Sequence, residues 1–115
     1  MSENEKAAAF KPLLEKELEE LRALSATGAA SRAPVTLDQQ SVGRLSRMDA
    51  MQAQAMAQAT ERRRLTRIQQ VEAALKRIGD GEFGYCLACG EEIEGRRLGS
   101  DPAAPLCIAC SRGEN

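Results

Sequence analysis

Two stretches of the chain carry apolar residues at the three- and four-residue steps of an amphipathic helix. The first runs from Asn4 to Ser25, where leucine and phenylalanine alternate with glutamate and lysine. This spacing places the apolar side chains on one stripe and the charged side chains on the opposite, solvated face. The pattern therefore predicts a first helix over about residues 4–25.

The helical pattern breaks over residues 26–36. Gly28 and Pro34 are poor helix formers, and the proline also pushes the residue before it out of the helical region. A second, proline-free helical pattern follows. We therefore predict a tip loop over about residues 26–36 and a long helix over about residues 37–78, which at ~1.5 Å per residue measures about 63 Å.

Two amphipathic helices joined by a short Gly/Pro loop are typical of an antiparallel hairpin. The first helix is expected to cover the first half of the second, because small side chains there let two helix backbones approach closely. These small residues are Ala50, Ala53, Ala55, Ala57 and Ala59. The methionines of the same half, Met48, Met51 and Met56, are interpreted as packing residues of the hairpin.

Composition narrows the possible functions. With 115 residues the chain is one compact domain or one small domain with an extension, and only three of its residues are aromatic. Histidine is absent, which excludes Ser-His-Asp and Cys-His catalysis and any histidine-ligated metal site. The sequence also lacks a glycine loop that could cradle a phosphate. We therefore do not predict an enzyme.

Charge is unevenly distributed along the chain, although the formal net charge is only -1. Residues 38–78 carry eight basic and four acidic side chains, whereas residues 79–115 carry three basic and seven acidic ones. A protein that binds nucleic acid through its phosphates needs a surplus of lysine and arginine. The acidic C-terminal part therefore does not favour contact with nucleic acid.

The expected location is the cytoplasm, without a membrane partner. No apolar run approaches the roughly 20 residues of a membrane span, and the N-terminal sequence lacks the basic and apolar blocks of a signal peptide. In a reducing compartment, clustered cysteines more often bind metal than form disulfides.

The cysteines of the chain form two Cys-x2-Cys pairs separated by 17 residues. They are Cys86, Cys89, Cys107 and Cys110. This spacing is typical of a zinc site, because each pair can present two thiolates from one tight turn. Four sulfur ligands complete a tetrahedral shell without an open position for water or substrate, so we predict one structural Zn2+. Two disulfides and an iron–sulfur site are the less favoured alternatives.

The sequence thus predicts a mainly α-helical protein, in which an antiparallel helical hairpin (a coiled coil) carries a small C-terminal four-cysteine zinc-finger module. The hairpin is assigned to residues 1–78 and the module to residues 79–115. The module has too few apolar side chains to fold alone, so zinc is expected to supply most of its folding free energy. A monomer is expected.

The region around the cysteines resembles the DksA/TraR family of bacterial zinc-finger transcription factors. The resemblance covers about residues 60–110 and is carried by the motifs Gly81-Glu-Phe-Gly-Tyr-Cys86, Arg96-Arg97-Leu98 and Leu106-Cys107-Ile-Ala-Cys110. It implies a factor that binds bacterial RNA polymerase directly, with the hairpin in the secondary channel and an acidic tip near the active centre. Initiation would then change without any reading of the DNA sequence, often in cooperation with the alarmone ppGpp.

The same resemblance implies three polymerase-contact candidates, Asp38, Asp49 and Arg63. Arg63 matches a family arginine that contacts the channel rim, and either aspartate could be the acid of the tip. Each also has a simpler interpretation. Asp38 fits a helix cap, and Asp49 and Arg63 fit a solvated helix face. Where the family's ppGpp-binding surface is basic, this sequence has Gln70 and Asp101, which predicts weak ppGpp binding there.

Two other classes of function remain open. One is a zinc-stabilised helical adaptor that binds a different protein through its hairpin. The other, less favoured, is a DNA-binding zinc protein, although few aromatic residues are available to stack on bases. Its contact residues would be Arg62, Arg63, Arg64 and Arg67.

Overall fold

The computed structural model describes residues 3–29 and 44–113 of the chain. Within them the chain forms two long helices and two short ones. These are α1 Glu3–Thr27, α2 Arg44–Asp80, α3 Gly95–Ser100 and α4 Ile108–Ser111. The molecule is elongated, with extents of 65 × 31 × 19 Å. The mainly helical fold class is confirmed, whereas the predicted tip loop and the start of the predicted second helix fall mostly outside the described residues.

The long helix α2 ends at Asp80 because the next residue is a glycine. Gly81 has a φ of 75°, in the left-handed region that glycine adopts without strain. The amide of Gly81 donates to the carbonyl of Ile78 at 3.2 Å, and the amide of Glu82 donates to the carbonyl of Arg77 at 2.8 Å. This pair of bonds is a Schellman motif, which satisfies the last carbonyls of the helix and turns the chain into the cysteine-rich segment.

Helix α1 runs antiparallel to α2 and contacts its C-terminal half. The side chain of Glu17 hydrogen bonds to Arg67, and Ser25, eight residues further along α1, hydrogen bonds to Glu61. Between these two contacts the partner number falls on α2 as the number rises on α1, and Phe10, earlier on α1, lies against Phe83 just beyond α2. The two helices therefore run antiparallel. The expectation that α1 covers the first half of α2 is therefore wrong for the described residues.

This register follows from where the apolar surface lies. The buried residues of α2 that face α1, Val71 and Ala74, belong to the half next to the cysteine-rich segment, and Leu14 of α1 joins them in one cluster. The alanine-rich half of α2 offers little apolar area to a partner helix, since burial stabilises in proportion to that area. Pairing the leucine stripe of α1 with the C-terminal half buries more apolar surface.

The same register explains the three methionines. Met48, Met51 and Met56 are exposed by 57%, 55% and 68%, so their interpretation as packing residues is wrong. They lie 5 to 13 residues before Glu61, which is level with Ser25 near the end of α1. This half of α2 consists largely of alanine, glutamine, methionine and arginine, which are strong helix formers and favour a helix without much help from packing.

One apolar core joins the base of the hairpin to the cysteine-rich segment. Leu14 and Val71 of the hairpin are fully buried together with Phe83 and Leu98 from beyond α2. The ring of Phe83 also lies against Phe10 of α1, with ring centroids 5.9 Å apart and a tilt of 53°. Each part therefore buries apolar surface that the other supplies, and the division of the chain near residue 78 stays a prediction.

Helix α1 continues through Pro12, although an interior proline removes a hydrogen bond and costs about 3 kcal/mol. Phe10 and Leu14, on either side of it, pack in or against the shared core. Tertiary packing on both sides therefore holds this helix together where its local sequence disfavours it. Across the described ranges, none of the helices combines the length and apolar character that a membrane span requires.

Candidate functional site

The four cysteines come together at one point beside the shared core. Their Sγ atoms all lie within 4.8 Å of one another, and the Sγ atoms of Cys89 and Cys107 are 3.9 Å apart. Four sulfurs at ~2.3 Å from one tetrahedral zinc ion are roughly 3.8 Å apart, so the cluster has the size of a zinc–sulfur site. Cys86 and Cys107 are buried, whereas Cys89 is exposed.

The first cysteine pair is presented by a tight turn between two extended residues. Tyr85 and Glu92 form an antiparallel bridge, and the amide of Cys86 donates to the carbonyl of Glu91 at 2.8 Å. The amide of Gly90 closes the turn by donating a hydrogen bond to the carbonyl of Cys86. Gly90 has a φ of 77°. A side chain would be strained in this conformation, which explains the glycine directly after Cys89.

The second cysteine pair is presented by the start of a short helix. Cys107 is the N-cap of α4, and its Sγ accepts a hydrogen bond from the amide of Cys110 at 3.4 Å. The Glu94 carboxylate accepts from the amide of Ile108 at 3.1 Å, and Arg97 Nε donates to the carbonyl of Leu106 at 2.7 Å. Such outer bonds hold the backbone that carries the ligands in place.

The electrostatic surroundings of Cys86 favour its thiolate form. Burial raises the pKa of the Cys86 thiol, but hydrogen bonds from the backbone of Cys107, Cys89 and Ala88 outweigh it and lower the pKa to about 6. Metal binding requires a deprotonated sulfur. The backbone therefore prepares this position for a cation near neutral pH.

A network of charged side chains ties three parts of the chain together around Arg67 of α2. Its guanidinium donates Nε and Nη2 to the two oxygens of Glu17 in α1, both at 2.9 Å. Its Nη1 lies 2.8 Å from Oδ1 of Asp101, which follows α3. Burial lowers the pKa of Arg67, but the bonds to Asp101 and Glu17 outweigh it and raise the pKa. The network braces α1, α2 and the cysteine-rich segment against one another.

Gln70 and Asp101, the two positions compared above with the family's ppGpp-binding surface, lie in this same network. Besides Asp101, the side-chain oxygen of Gln70 is 3.4 Å from Nη1 of Arg67. The position thus holds one guanidinium and two carboxylates, those of Glu17 and Asp101. No local sequence pattern indicates this grouping, because Glu17 and Arg67 are separated by 50 positions.

Replacing Arg67 with glutamine should lower the free energy of unfolding by about 1–3 kcal/mol, because it leaves two part-buried carboxylates without their counter-ion. The measurement is urea unfolding followed by far-UV circular dichroism. Arg62→Gln is the matched control, since Arg62 is exposed on the same helix, and it should change the stability by less than about 0.5 kcal/mol. Equal effects of the two substitutions would show that the network does not brace the fold.

The structure separates the polymerase-contact candidates from the zinc site. Arg63 and Asp49 are both exposed on α2, and Arg63 Nη2 donates to the Thr60 hydroxyl at 3.2 Å. They are 14 residues apart, so they lie on nearly the same side of the helix and about 21 Å apart along its axis. Asp38 lies outside the described residues.

One buried carboxylate in the hairpin was not anticipated. Glu61 is 7% exposed, accepts a hydrogen bond from Ser25 of α1 and forms a 2.8 Å ion pair with Arg64. The i, i+3 spacing of Glu61 and Arg64 is the one sequence signal for it. The pair satisfies a charge that would otherwise be costly to bury.

The geometry defines a class of protein, a helical hairpin built on a four-cysteine zinc finger. Comparison with known proteins agrees, because residues 81–114 match the prokaryotic dksA/traR C4-type zinc finger. Residues 81–114 therefore form a zinc finger of the DksA/TraR type, as the resemblance around the cysteines implied. A C4 finger with all four cysteines gathered confirms the prediction of one structural zinc ion.

Similar proteins include two curated relatives, each named RNA polymerase-binding transcription factor DksA. Those of Haemophilus influenzae and Escherichia coli K12 are both 51% identical to this chain over 43 residues. The match covers 37% of this chain and only 30% and 28% of those proteins. The structure titled transcription factor DksA2 from Pseudomonas aeruginosa has the same fold, with a TM-score of 0.75 and 22% identity over 95% of this chain and 82% of that one.

Proposed function

We propose that this protein binds bacterial RNA polymerase in the cytoplasm, inserts its hairpin into the secondary channel and modulates initiation without reading the DNA sequence. The four cysteines would hold the zinc ion that fixes the base of the hairpin. The observation that carries the proposal is the shape of α2. From the level of Glu61 it continues for residues 44–60, which is roughly 26 Å of helix at ~1.5 Å per residue.

A projecting helix on a metal-stabilised base suits a narrow channel. The base is held by the shared core and the Arg67 network, so the projection has a defined direction. An acidic side chain near its far end could repel nucleic acid phosphates or perturb groups around catalytic magnesium. Asp49 is exposed in that half and is a candidate for this role. The printed names of the relatives support the choice of polymerase as partner.

Direct binding to DNA is less well supported, because two of the four arginines are already engaged. Arg64 is paired with Glu61, and Arg67 with Glu17 and Asp101. Binding a phosphate would require breaking these pairs or relying on the two remaining arginines of the run. Phosphate-driven binding scales with the number of cations that contact the backbone. A protein partner also fits the acidic surface of residues 79–115.

We also propose that ppGpp does not bind beside Arg67. A polyphosphate needs several converging cations, whereas Arg67 is already saturated by two carboxylates. Replacing Asp101 with arginine would reverse one charge there and provides the test. We expect titration of ppGpp to the polymerase complex to leave the wild type unchanged. A ppGpp effect in the wild type that Arg67→Gln abolishes would contradict the proposal, because it would place the ligand beside that arginine.

The function is tested by competition for purified bacterial core polymerase. We expect the zinc-loaded protein to bind and to be displaced by an established secondary-channel factor. A helical adaptor for another protein would show no binding to polymerase at all. Simultaneous, undisturbed binding of both factors would place this protein elsewhere on the enzyme and would contradict the channel assignment.

The contact candidates make separate predictions. Arg63→Ala should weaken polymerase binding roughly tenfold, as loss of one charged interface contact commonly does. Asp49→Asn and Asp38→Asn should both still bind polymerase. Whichever of them replaces the acid of the tip should lose the effect on initiation in a run-off transcription assay. Arg62→Ala is the control for Arg63, because Arg62 is its exposed neighbour. If Arg62→Ala weakens binding equally, the effect reflects general charge and not a specific contact.

A further inference from the structure

Two adjoining clefts lie where α2 meets the turn of the first cysteine pair, and the smaller one borders the Arg67 network at Gln70. The larger has a volume of about 390 Å³ and is lined by Arg77, Gly81, Glu82, Tyr85, Cys86 and Leu87. The smaller, of about 210 Å³, continues along α2 past Ala73 to Thr66. Arg77 and Leu87 line both clefts, and we refer to the two together as the Arg77–Leu87 groove.

Arg77 is a half-buried arginine that lines both parts of the groove. Burial lowers the pKa of Arg77, and no neighbouring carboxylate opposes that effect. Within residues 3–29 and 44–113, no ion pair or side-chain hydrogen bond engages its guanidinium, whereas Arg64 and Arg67 are both paired with carboxylates. A cation that is partly desolvated and lacks a counter-ion carries an energetic cost, which an anionic ligand would offset.

Leu87 supplies an apolar surface beside this charge. It is 63% exposed, yet its backbone is fixed, because its amide donates to the carbonyl of Pro105 at 2.9 Å and it lies between two cysteines of the zinc site. Ala73, Ala103 and Pro105 extend the apolar lining. Because the backbone of Leu87 is already held, a partner that covers this side chain does not have to order the backbone as well.

Uncharged polar groups complete the groove. Gln69 and Gln70, on the same face of α2 as Ala73, line the smaller cleft. Primary amides both donate and accept hydrogen bonds, so they can pair with the backbone of an extended chain. The groove thus combines one cation, an apolar surface and amide groups. The cation complements an acidic side chain of a peptide, the apolar surface an apolar side chain, and the amides the peptide backbone.

We propose that the Arg77–Leu87 groove binds an extended segment of a partner protein in which an acidic residue lies next to an apolar one. The carboxylate pairs with Arg77 and the apolar side chain packs on Leu87. A nucleic acid fits less well, because its successive phosphates need several cations, whereas Arg77 is the one basic side chain among the described residues that line the groove. The inference goes beyond the proposed function, since it does not depend on polymerase being the partner.

The test starts from a library of random short peptides selected against the full-length, zinc-loaded protein. Enriched peptides should share an aspartate or glutamate beside an apolar residue. Their affinity is then measured by fluorescence anisotropy against Arg77→Gln and Leu87→Gln. Each substitution should weaken binding roughly tenfold or more, as loss of a charge-assisted bond or a buried contact does. Zinc content and circular dichroism should stay as in the wild type.

Matched controls separate the groove from general surface charge and apolarity. Arg96→Gln removes an exposed arginine that lines a different cleft, and Leu24→Gln removes an exposed leucine on α1; neither should change the affinity. Changing the peptide's acid to its amide should weaken binding to the wild type but not to Arg77→Gln, which isolates the pairing. No enrichment, or enriched peptides that bind Arg77→Gln as well as wild type, overturns the inference. So does an oligonucleotide that binds the groove more tightly than the peptides and depends on Arg77.

Discussion

Replacing Cys107 with serine should abolish zinc binding and unfold residues 81–113, while much of the helical circular dichroism signal of the hairpin remains. Cys107 is buried, its sulfur lies 3.9 Å from that of Cys89, and it also caps α4. Zinc binding contributes roughly 10 kcal/mol or more to the folding of zinc-finger peptides at neutral pH. Losing one of four sulfur ligands should therefore remove more stability than the remaining small core of the module can offset.

The measurements are zinc content after dialysis and the dispersion of amide resonances from residues 81–113. Ala88→Ser is the matched control, because it places a hydroxyl at an exposed position within the first cysteine turn without touching a ligand. It should keep one zinc ion per chain and the native spectrum. A Cys107→Ser protein that retained the native dispersion without metal would show that the module folds on its core alone.

Leu14→Ala should lower the free energy of unfolding by about 2–5 kcal/mol, whereas Leu13→Ala should change it by less than about 1 kcal/mol. The two leucines are adjacent on α1, so the substitutions alter composition and helix propensity identically. Leu14 is 0% exposed in the shared core and Leu13 is 55% exposed. The difference between them therefore measures core packing alone.

Urea unfolding of both zinc-loaded variants provides the comparison. Because Leu14 shares its cluster with Phe83 and Cys86, Leu14→Ala should also make zinc easier to remove with a chelator, although Leu14 is not a ligand. Similar unfolding midpoints for the two variants would mean that α1 does not pack on α2 in the observed register. Unchanged chelator sensitivity would mean that hairpin and zinc module are energetically independent.

The sequence was sufficient to predict what depends on local spacing. The helical periodicity and the two cysteine pairs are each encoded within a few consecutive residues. The chemistry of four clustered thiolates then leaves few alternatives to zinc. These features therefore needed no knowledge of how distant segments meet.

The register of the hairpin could not be predicted in this way. The periodicity shows that α1 has an apolar face, but it does not show which half of α2 that face covers. Phe83 and Leu98, which lie beyond the hairpin in sequence, complete the core and so determine the choice. The Arg67 network depends on the same register, because Glu17 and Asp101 approach Arg67 only once α1 and the zinc module are in place.

The position of the shared core at one end of the hairpin creates a gradient of local stability along α2. Near Val71 the helix can open only if core contacts are lost, so amide hydrogens there should exchange at rates set by global unfolding. Toward Met48 the exposed backbone hydrogen bonds can break by fraying alone, and exchange should accelerate. A binding partner that covers the N-terminal half of α2 would slow amide exchange there and not near Val71. The exchange rates along α2 would then show how much of the helix the partner encloses.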